Sequence, residues 1–403
     1  MVDSYKDLGF LKKLQDKGVQ IPCPESVEIG KDVSLDRISG DGVVIHSGCR
    51  IFGPDTLIMA GTELGYETPV TVDNCQIGRK VNLNGGYCCE SVFLDSSSMG
   101  SGAQIRSACL LEEGASGAHN VGLKHTVLLP YVTLGSLINF CDCLMAGGTD
   151  EKNHSEVGSS YIHFNYSPNQ DKATPSLIGD VARGVMMNQS PIFLGGQGGI
   201  IGPVMVEYGT VVAAGTLVRK DLLKPDTILL GNKPVPKTMP FRRGLYSNLK
   251  RIVRLNTIYM SNLIALRRWY LDVRCIFMKD DEMESMLYQG AVEKLDLAIK
   301  ERIERLGAVA GLGGSPKMDD LAEKWQKMEG AFQQGFSRQG DLLIRRKFLE
   351  IIEKGVDRNG KNYLAVIKGL SREETEVGIS WLQGIVDEIN QSVWELLPGF
   401  SIS

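Results

Sequence analysis

The sequence lacks the features of a membrane protein, a secreted protein or a polyanion-binding protein. No apolar run approaches the roughly 18 residues that a membrane-spanning helix needs, and no charged segment followed by a short apolar one opens the chain as in a secretory signal. These absences predict a cytoplasmic protein without a membrane span. The net charge is only −4 over 403 residues, so we expect no nucleic-acid partner.

Metal-binding cysteine patterns are also missing. The chain has nine cysteines, and none forms a C-x-x-C pair: Cys88 and Cys89 are adjacent, and Cys141 and Cys143 are two apart. A zinc or redox site built on cysteine is therefore not predicted. We expect these residues to be small apolar fillers in a reducing compartment.

The first half of the chain does have a six-residue repeat, in which an isoleucine, leucine, valine or methionine returns at a fixed interval. It is visible at Ile29, Leu35, Ile45, Ile51, Ile77, Leu83, Met99, Ile105, Leu111, Leu128, Leu134, Val206, Val212 and Val218. A period of six fits neither an amphipathic helix nor a simple hairpin. It is typical of a parallel β-helix, in which each hexad forms one face of a coil and its first residue points inward. We expect Ile29, Ile45, Ile77, Leu111, Leu134, Ile178 and Val212 to face the interior.

Composition divides the chain into three parts: an N-terminal helical cap at 1–24, a β-helix at 25–232 and an α-helical domain at 233–403. The cap contains one amphipathic helix at 5–17. Two polar, glycine-rich stretches, 146–155 and 188–199, are predicted to interrupt the coils. Beyond 233 glycine becomes rare, and helices are predicted at 245–274, 282–306, 319–336, 342–354 and 372–397, with breaks at 311–315 and 357–360. Because composition changes so sharply there, we expect the helical domain to be removable without unfolding the β-helix.

The hexads, together with Ala213-Ala214-Gly215-Thr216 and the closing segment 229–234, resemble the hexapeptide-repeat transferases. Asn165-Tyr166, followed by Lys172 and by Ile178-Gly179-Asp180, resembles more closely the acetyltransferase domain of the bifunctional N-acetylglucosamine-1-phosphate uridyltransferase/glucosamine-1-phosphate acetyltransferase. The resemblance implies a left-handed β-helix, a homotrimer and an acyl-CoA donor. The implied acceptor is an amino sugar phosphate or nucleotide sugar, as in UDP-N-acetylglucosamine biosynthesis.

The same resemblance assigns roles to individual residues. Arg106 and Lys124 would hold a sugar phosphate, Asn165 and Tyr166 the hexose, and Lys172 would add a further cation; Ala214 would contact the acyl donor. Independently of the family, Arg106 and Lys124 are eighteen residues apart, which stacks them on one face of a β-helix whose coils have about eighteen residues. Two stacked cations suit an oxyanion. The alternative is a solvated outer face.

The sequence departs from the family at the catalytic position. Ser136 stands where the family has its catalytic histidine, Asn139 where it has a tyrosine and Glu156 where it has an asparagine. An unactivated serine cannot deprotonate an ammonium group near neutral pH. The remaining candidates for the base are His163, Glu156 and His154, with a structural role as the alternative for His163.

These departures leave a second function open, that of a sugar-nucleotide-binding or regulatory protein that has lost acyl transfer. No glycine-rich nucleotidyltransferase loop is present.

Two further patterns have competing interpretations. His119 and His125 could suggest zinc, but no third histidine lies at a suitable distance, so no metal is predicted. The predicted helical domain begins with a basic run that could bind coenzyme A phosphates or form a solvated face. The run comprises Arg242, Arg243, Lys250, Arg251, Arg254, Arg267, Arg268 and Arg274.

Overall fold

The first half of the chain folds into a parallel β-helix of short strands. The computed structural model describes residues 8–165, 167, 169, 171–231, 238, 246, 248–278, 281–312 and 315–400. The strands of the first coils are β1 (Glu28–Ile29), β2 (Val44–Ile45), β3 (Arg50–Phe52), β4 (Leu57–Ile58), β5 (Glu63–Leu64), β6 (Val70–Asp73), β7 (Gln76–Ile77), β8 (Asn82–Leu83), β9 (Gly86–Cys89), β10 (Ser91–Phe93), β11 (Ser98–Met99), β12 (Ala103–Ile105), β13 (Cys109–Leu111) and β14 (Ser116–Gly117). Those of the later coils are β15 (Gly122–Leu128), β16 (Thr133–Leu134), β17 (Asn139–Met145), β18 (Gly148–Asp150), β19 (Asn153–His154), β20 (Glu156–Val157), β21 (Tyr161–Phe164), β22 (Ser176–Ile178), β23 (Phe193–Leu194), β24 (Gly198–Ile201), β25 (Met205–Val206), β26 (Val211–Val212), β27 (Leu217–Val218) and β28 (Ile228–Leu229).

The strands form three faces around one core. One face is the ten-stranded sheet β2-β5-β8-β11-β14-β16-β20-β23-β26-β28. The other two faces are joined into a single sheet because β15 and β17 continue round a corner. Between β4 and β17 paired residues are 16 to 19 apart, and Gln104 is 18 from Gly122. Residues one coil apart in sequence therefore stand directly above one another.

The inward positions are those predicted from the repeat. All seven residues expected to face the interior are buried, with at most 4% of their surface exposed. Stacked aliphatic side chains fill the coil, and their removal from water supplies the main driving force for this part of the fold, about 25 cal/mol per Å² of apolar surface. The parallel β-helix is confirmed.

The interruptions differ in part from expectation. The stretch 146–155 does leave the coil, as the antiparallel hairpin of β18 and β19. The stretch 188–199, by contrast, contains β23 and the start of β24, so that prediction was largely wrong. The insertion lies earlier, at α2 (Val181–Gly184). The glycines at 195–199 sit instead where coils approach closely: a Cβ on Gly195 would stand 2.4 Å from the backbone nitrogen of Ala214.

Helices cover both the start of the β-helix and one of its sides. The N-terminal helix α1 (Leu8–Lys17) packs on the first coil, where Lys17 donates to the carbonyl of Leu35. The second half contains α3 (Leu249–Trp269), continued by a π-helical turn at Tyr270–Arg274, then α4 (Cys275–Phe277), α5 (Glu282–Ala310), α6 (Pro316–Gly335), α7 (Leu342–Asn359), α8 (Tyr363–Lys368) and α9 (Arg372–Leu396). Five helices were predicted. The six-residue α8 was missed because it is too short to show a period. No helix among the described residues is long and apolar enough to cross a membrane.

The helical region is fastened to the β-helix by buried charges. The side chain of Arg274 is completely buried and contacts the carboxylates of Glu112 and Glu113 on the β-helix, at 3.2 Å for Glu112. Tyr270 donates a 2.6 Å hydrogen bond to Glu112. Burial raises the pKa of the Glu112 carboxyl, while the nearby Arg274 opposes that shift. The two glutamates of the β-helix and the arginine of the helical region are thus buried only because the two regions pack together.

The basic run is largely used for structural ion pairs. Arg251 and Arg254 contact Asp221 of the β-helix, whereas Arg267 and Arg268 pair with Asp296 and Asp272 within the helical region. Arg242 and Arg243 lie outside the described residues. Binding of coenzyme A phosphates by this run is therefore not supported. The buried contacts likewise argue against the expectation that the helical region can be removed harmlessly.

We expect Arg274→Met to lower the free energy of unfolding by about 3–5 kcal/mol, because two buried carboxylates lose their cation. Arg346→Met is the matched control: Arg346 is 79% exposed and pairs, among the residues that the structure describes, with Glu350 on its own helix. Its loss should change stability by less than about 0.5 kcal/mol. Urea unfolding followed by circular dichroism measures both. Equal, small effects of the two substitutions would show that the buried charges do not hold the halves together.

Candidate functional site

Arg106 and Lys124 lie one coil apart on an outer face of the β-helix. Arg106 directly follows β12, Lys124 lies in β15, and the backbone N–H of Arg106 donates to the carbonyl of Leu123 at 2.8 Å. Both side chains are exposed. The guanidinium carbon of Arg106 is 5.0 Å from the centre of the Tyr87 ring, a cation–π contact, and Nη2 donates to Gln104 at 3.2 Å. The stacking follows from the strand register.

Further cations gather beside this pair. Cys141 is the partner of Lys124 on the next coil. Burial and the neighbouring Asp142 raise the pKa of the Cys141 thiol to about 11, while Lys124, Lys172 and Arg302 act in the opposite direction. Lys172 is exposed, and its carbonyl accepts a 2.9 Å hydrogen bond from Arg302 of α5. The predicted cations Lys124 and Lys172 therefore share one neighbourhood.

A buried aspartate organises the adjacent corner of the coil. The carboxylate of Asp142 lies 3.1 Å from Nδ1 of His125, 2.7 Å from the amide nitrogen of Asn165 and 2.9 Å from Nη2 of Arg302. Burial acts to raise the pKa of Asp142, but Arg302 and the hydrogen bonds from His125 and Asn165 outweigh it, so the pKa lies below its ordinary 3.8. Asn165, predicted to contact the hexose, thus donates to Asp142. Tyr166 lies outside the described residues.

His163 has no free ring nitrogen. Nδ1 is 2.6 Å from the carbonyl of Cys141 and Nε2 is 2.8 Å from Oγ of Ser176. Because a carbonyl can only accept, Nδ1 carries the proton, and Nε2 accepts from the serine hydroxyl. Burial lowers the pKa of His163 to about 4. This geometry favours the structural interpretation, and we do not retain His163 as a base.

His154 and Glu156 are remote from the cations in one chain. His154 lies in the β18–β19 hairpin, where Nδ1 contacts the carbonyl of Glu151 at 2.8 Å, and Nε2 is 3.9 Å from Glu156. Glu156 belongs to the ten-stranded sheet, whereas Arg106 and Lys124 lie on the other one. The structure does not bring either residue to the cation pair.

Ala214 is exposed at a corner after β26, four coils beyond β14 in the order β14-β16-β20-β23-β26. With coils spaced by about 4.8 Å, it lies roughly 19 Å along the axis from the coil of Lys124. Its contact with an acyl donor stays a prediction.

Two histidine contacts were not predicted from the sequence, in which His119 and His125 suggested only a metal pair. Nδ1 of His119 is 3.0 Å from Oγ of Ser136, and His125 contacts Asp142. Both pairs are 17 residues apart, so the one-coil offset could have identified them. Among the described residues, no group of three histidine, cysteine, aspartate or glutamate side chains could hold a metal ion.

The buried neutral state of His163 predicts a loss of stability in acid. Its pKa is about 4 when folded and 6.5 when unfolded, so its contribution is complete above 6.5 and is lost as the pH falls towards 4. The full difference amounts to about 3 kcal/mol. His163→Asn retains a donor for the Cys141 carbonyl and should flatten this pH dependence, whereas the half-buried His154→Asn should not. Unfolding free energies between pH 7 and 4 test this. An unchanged slope in His163→Asn would contradict the assignment.

Comparison with known proteins gives distant relatives. No family model matches the chain. The bifunctional protein GlmU of Thermotoga petrophila is 24% identical over 212 residues, covering 53% of this chain and 42% of the relative. GlmU of Acinetobacter baumannii is 29% identical over 220 residues, covering 52% and 41%. The chain thus spans less than half the length of these curated relatives.

Among solved structures, the polysialic acid O-acetyltransferase OatWY covers 57% of this chain and 92% of its own, with 16% identity and a TM-score of 0.17. That score adds nothing to the fold assignment. The repeat, the parallel β-helix and the GlmU relatives together fit a hexapeptide-repeat transferase.

Proposed function

We propose that this protein transfers an acyl group from an acyl-CoA-type thioester to the amine of an amino sugar. The sugar carries a phosphate, either free or within a nucleotide sugar such as those of UDP-N-acetylglucosamine biosynthesis. The observation that carries the proposal is the stacked pair Arg106 and Lys124. The GlmU relatives support acyltransferase-like chemistry in general, whereas the substrate is inferred from the pair.

Whether the two cations already have carboxylate partners distinguishes a phosphate-binding role from a solvated face. Within the described part of the chain, neither Arg106 nor Lys124 has a carboxylate within 4.0 Å, although Arg251, Arg274 and Arg302 all do. Free cations on adjacent coils can approach two oxygens of one phosphate. Arginine provides a planar bidentate donor and lysine a mobile point charge. The contact with Tyr87 limits the motion of the Arg106 side chain.

The remaining parts of the site follow from the family. Lys172 adds charge beside the phosphate, and Ala214 contacts the donor. As the resemblance to the family implies, we propose a homotrimer with sites between neighbouring β-helices. Attack on the thioester builds an oxyanion, which a backbone N–H at a coil corner can stabilise. We propose no metal and a cytoplasmic location.

The second candidate is a sugar-nucleotide-binding or regulatory protein without transferase activity. It is motivated by Ser136, which replaces the family's histidine. The two candidates share the phosphate site and differ in turnover, so binding and transfer must be measured separately.

We expect Arg106→Ala to weaken binding of a hexosamine phosphate by about tenfold to a hundredfold, the effect of losing a charge-assisted hydrogen bond. Arg50→Ala is the matched control, because Arg50 is 60% exposed on the same sheet but pairs with Glu28. Ser136→Ala should also bind normally. Isothermal titration gives the affinities, and mass spectrometry of the acylated sugar gives turnover with acetyl-CoA. Undiminished binding by Arg106→Ala would identify the pair as surface charges, and binding without product would favour the second candidate.

A further inference from the structure

A pocket of about 250 Å³ lies between α5 and the corner of the β-helix that directly follows Arg106 and Lys124. Its titratable lining residues are Glu90 and His125 from the β-helix and Lys300, Glu301 and Glu304 from α5. Ser107 and His125, which follow the two cations in sequence, both contribute to its wall. The pocket therefore adjoins the proposed phosphate site.

His125 is oriented in this pocket by a buried carboxylate. It stands at a coil corner with a φ of 46°, and only 9% of its surface is exposed. The neighbouring Asp142 is 1% exposed and ionised, so it can only accept, and the proton of the neutral ring is held on Nδ1. Nε2 keeps its lone pair, and it has no hydrogen bond to any residue that the structure describes. This is the arrangement in which a carboxylate orients a histidine base.

The helical region fixes the orienting group. Arg302 is 1% exposed, and its guanidinium reaches both Asp142 and the carbonyl of Lys172 at 2.9 Å. Asn165 contacts the other carboxylate oxygen. With both oxygens engaged, Asp142 cannot rotate without breaking a buried hydrogen bond, and the ring of His125 is held with it.

The charges around the site have two signs. The phosphate side carries Arg106, Lys124 and Lys172, while the described lining of the pocket includes Glu90, Glu301 and Glu304 beside Lys300, with Glu301 also paired to Arg305 at 2.8 Å. An amino sugar phosphate has the same polarity, with an anionic phosphate at one end and an ammonium group at the other. Carboxylates near the pocket favour entry of the ammonium end.

We propose that His125 is the general base of the transfer, that Asp142 is its positioning residue, and that the helical region completes the active site through Arg302 and the pocket wall. This inference rests on the proposed function. Nε2 removes one proton from the bound ammonium group, and the freed amine attacks the thioester carbonyl. The N–C bond forms, the C–S bond breaks, and the departing thiolate takes the proton held by His125. The second proton lost from nitrogen passes to solvent, leaving an amide and a thiol.

His119 supplies the alternative base and a matched control. It contacts Ser136 at the same 17-residue offset, but it is exposed and its partner is a hydroxyl. A hydroxyl both donates and accepts, so it does not hold the proton on one nitrogen.

The test compares His125→Asn with His119→Asn. Asparagine tolerates a left-handed φ, and its Nδ2 takes the place of Nδ1, so the contact with Asp142 is kept while Nε2 is removed. We expect kcat of His125→Asn to fall at least a hundredfold, with hexosamine phosphate affinity within twofold of the wild type. His119→Asn should keep its activity. Imidazole added to His125→Ala should restore part of the turnover, which a structural role would not predict.

Asp142 is tested through the pH profile. The charged groups facing His125 are Glu90 and Asp142 on the β-helix and Lys300, Glu301, Arg302 and Glu304 on α5. Asp142→Asn removes the anion nearest to His125. The acidic limb of the plot of kcat against pH should therefore move to lower pH. An unshifted limb would contradict the positioning role.

Each outcome has one meaning. No acyl transfer by the wild type would overturn the proposed function and this inference with it. Transfer by the wild type that persists in His125→Asn would overturn this inference alone. Loss of turnover in His119→Asn, with His125→Asn active, would assign the base to the other histidine.

Discussion

The register of the parallel ladders controls both the core and the surface of this protein. Because each uninterrupted coil advances the chain by 16 to 19 residues, residues paired on successive coils are stacked about 4.8 Å apart. Inside, this produces continuous aliphatic columns. Outside, it pairs Arg106 with Lys124, His119 with Ser136 and His125 with Asp142. Polar residues separated by about one coil in sequence are direct neighbours in this fold, whereas the same separation would place them far apart along a single helix. A small group of functional side chains can therefore be built from one residue per coil.

The second constraint is the burial of carboxylates under the helical region. Glu112, Glu113 and Asp142 all face helices, and each meets an arginine that is itself buried. Taking such charges out of water is unfavourable unless their partners are in place. The buried ion pairs therefore couple the β-helix to the helical region, although the two differ sharply in composition. On this view the helical region supports the candidate site rather than acting as an independent module.

The sequence predicted those features that depend on spacing alone. The period of six gave the β-helix and its inward residues, and the eighteen-residue interval gave the stacking of Arg106 and Lys124. It could not predict how separate elements meet. Nothing near His163 indicates that Ser176 and the Cys141 carbonyl occupy both ring nitrogens, and nothing near Asp142 indicates that Arg302, 160 residues further on, covers it. The glycines at 195–199 suggested a loop, but glycine also serves where neighbouring coils leave no room for a Cβ. Composition likewise suggested a removable helical domain because it carries no information on which charges are buried.

The close approach of α5 at Gly290 has a consequence for how the site evolves. A Cβ there would come within 2.5 Å of the side chain of Gln76, which is buried and held by a hydrogen bond to the carbonyl of Asp55. Gly290 thus sets how closely α5 approaches the β-helix, and Arg302 lies twelve residues further along the same helix, about 18 Å away. A larger residue at 290 would tilt α5 as a rigid helix and displace Arg302. A substitution at position 290, which contacts no ligand, could in this way alter the chemistry of the pocket. Related chains with different substrates could therefore differ at position 290 as well as in the residues near Arg302.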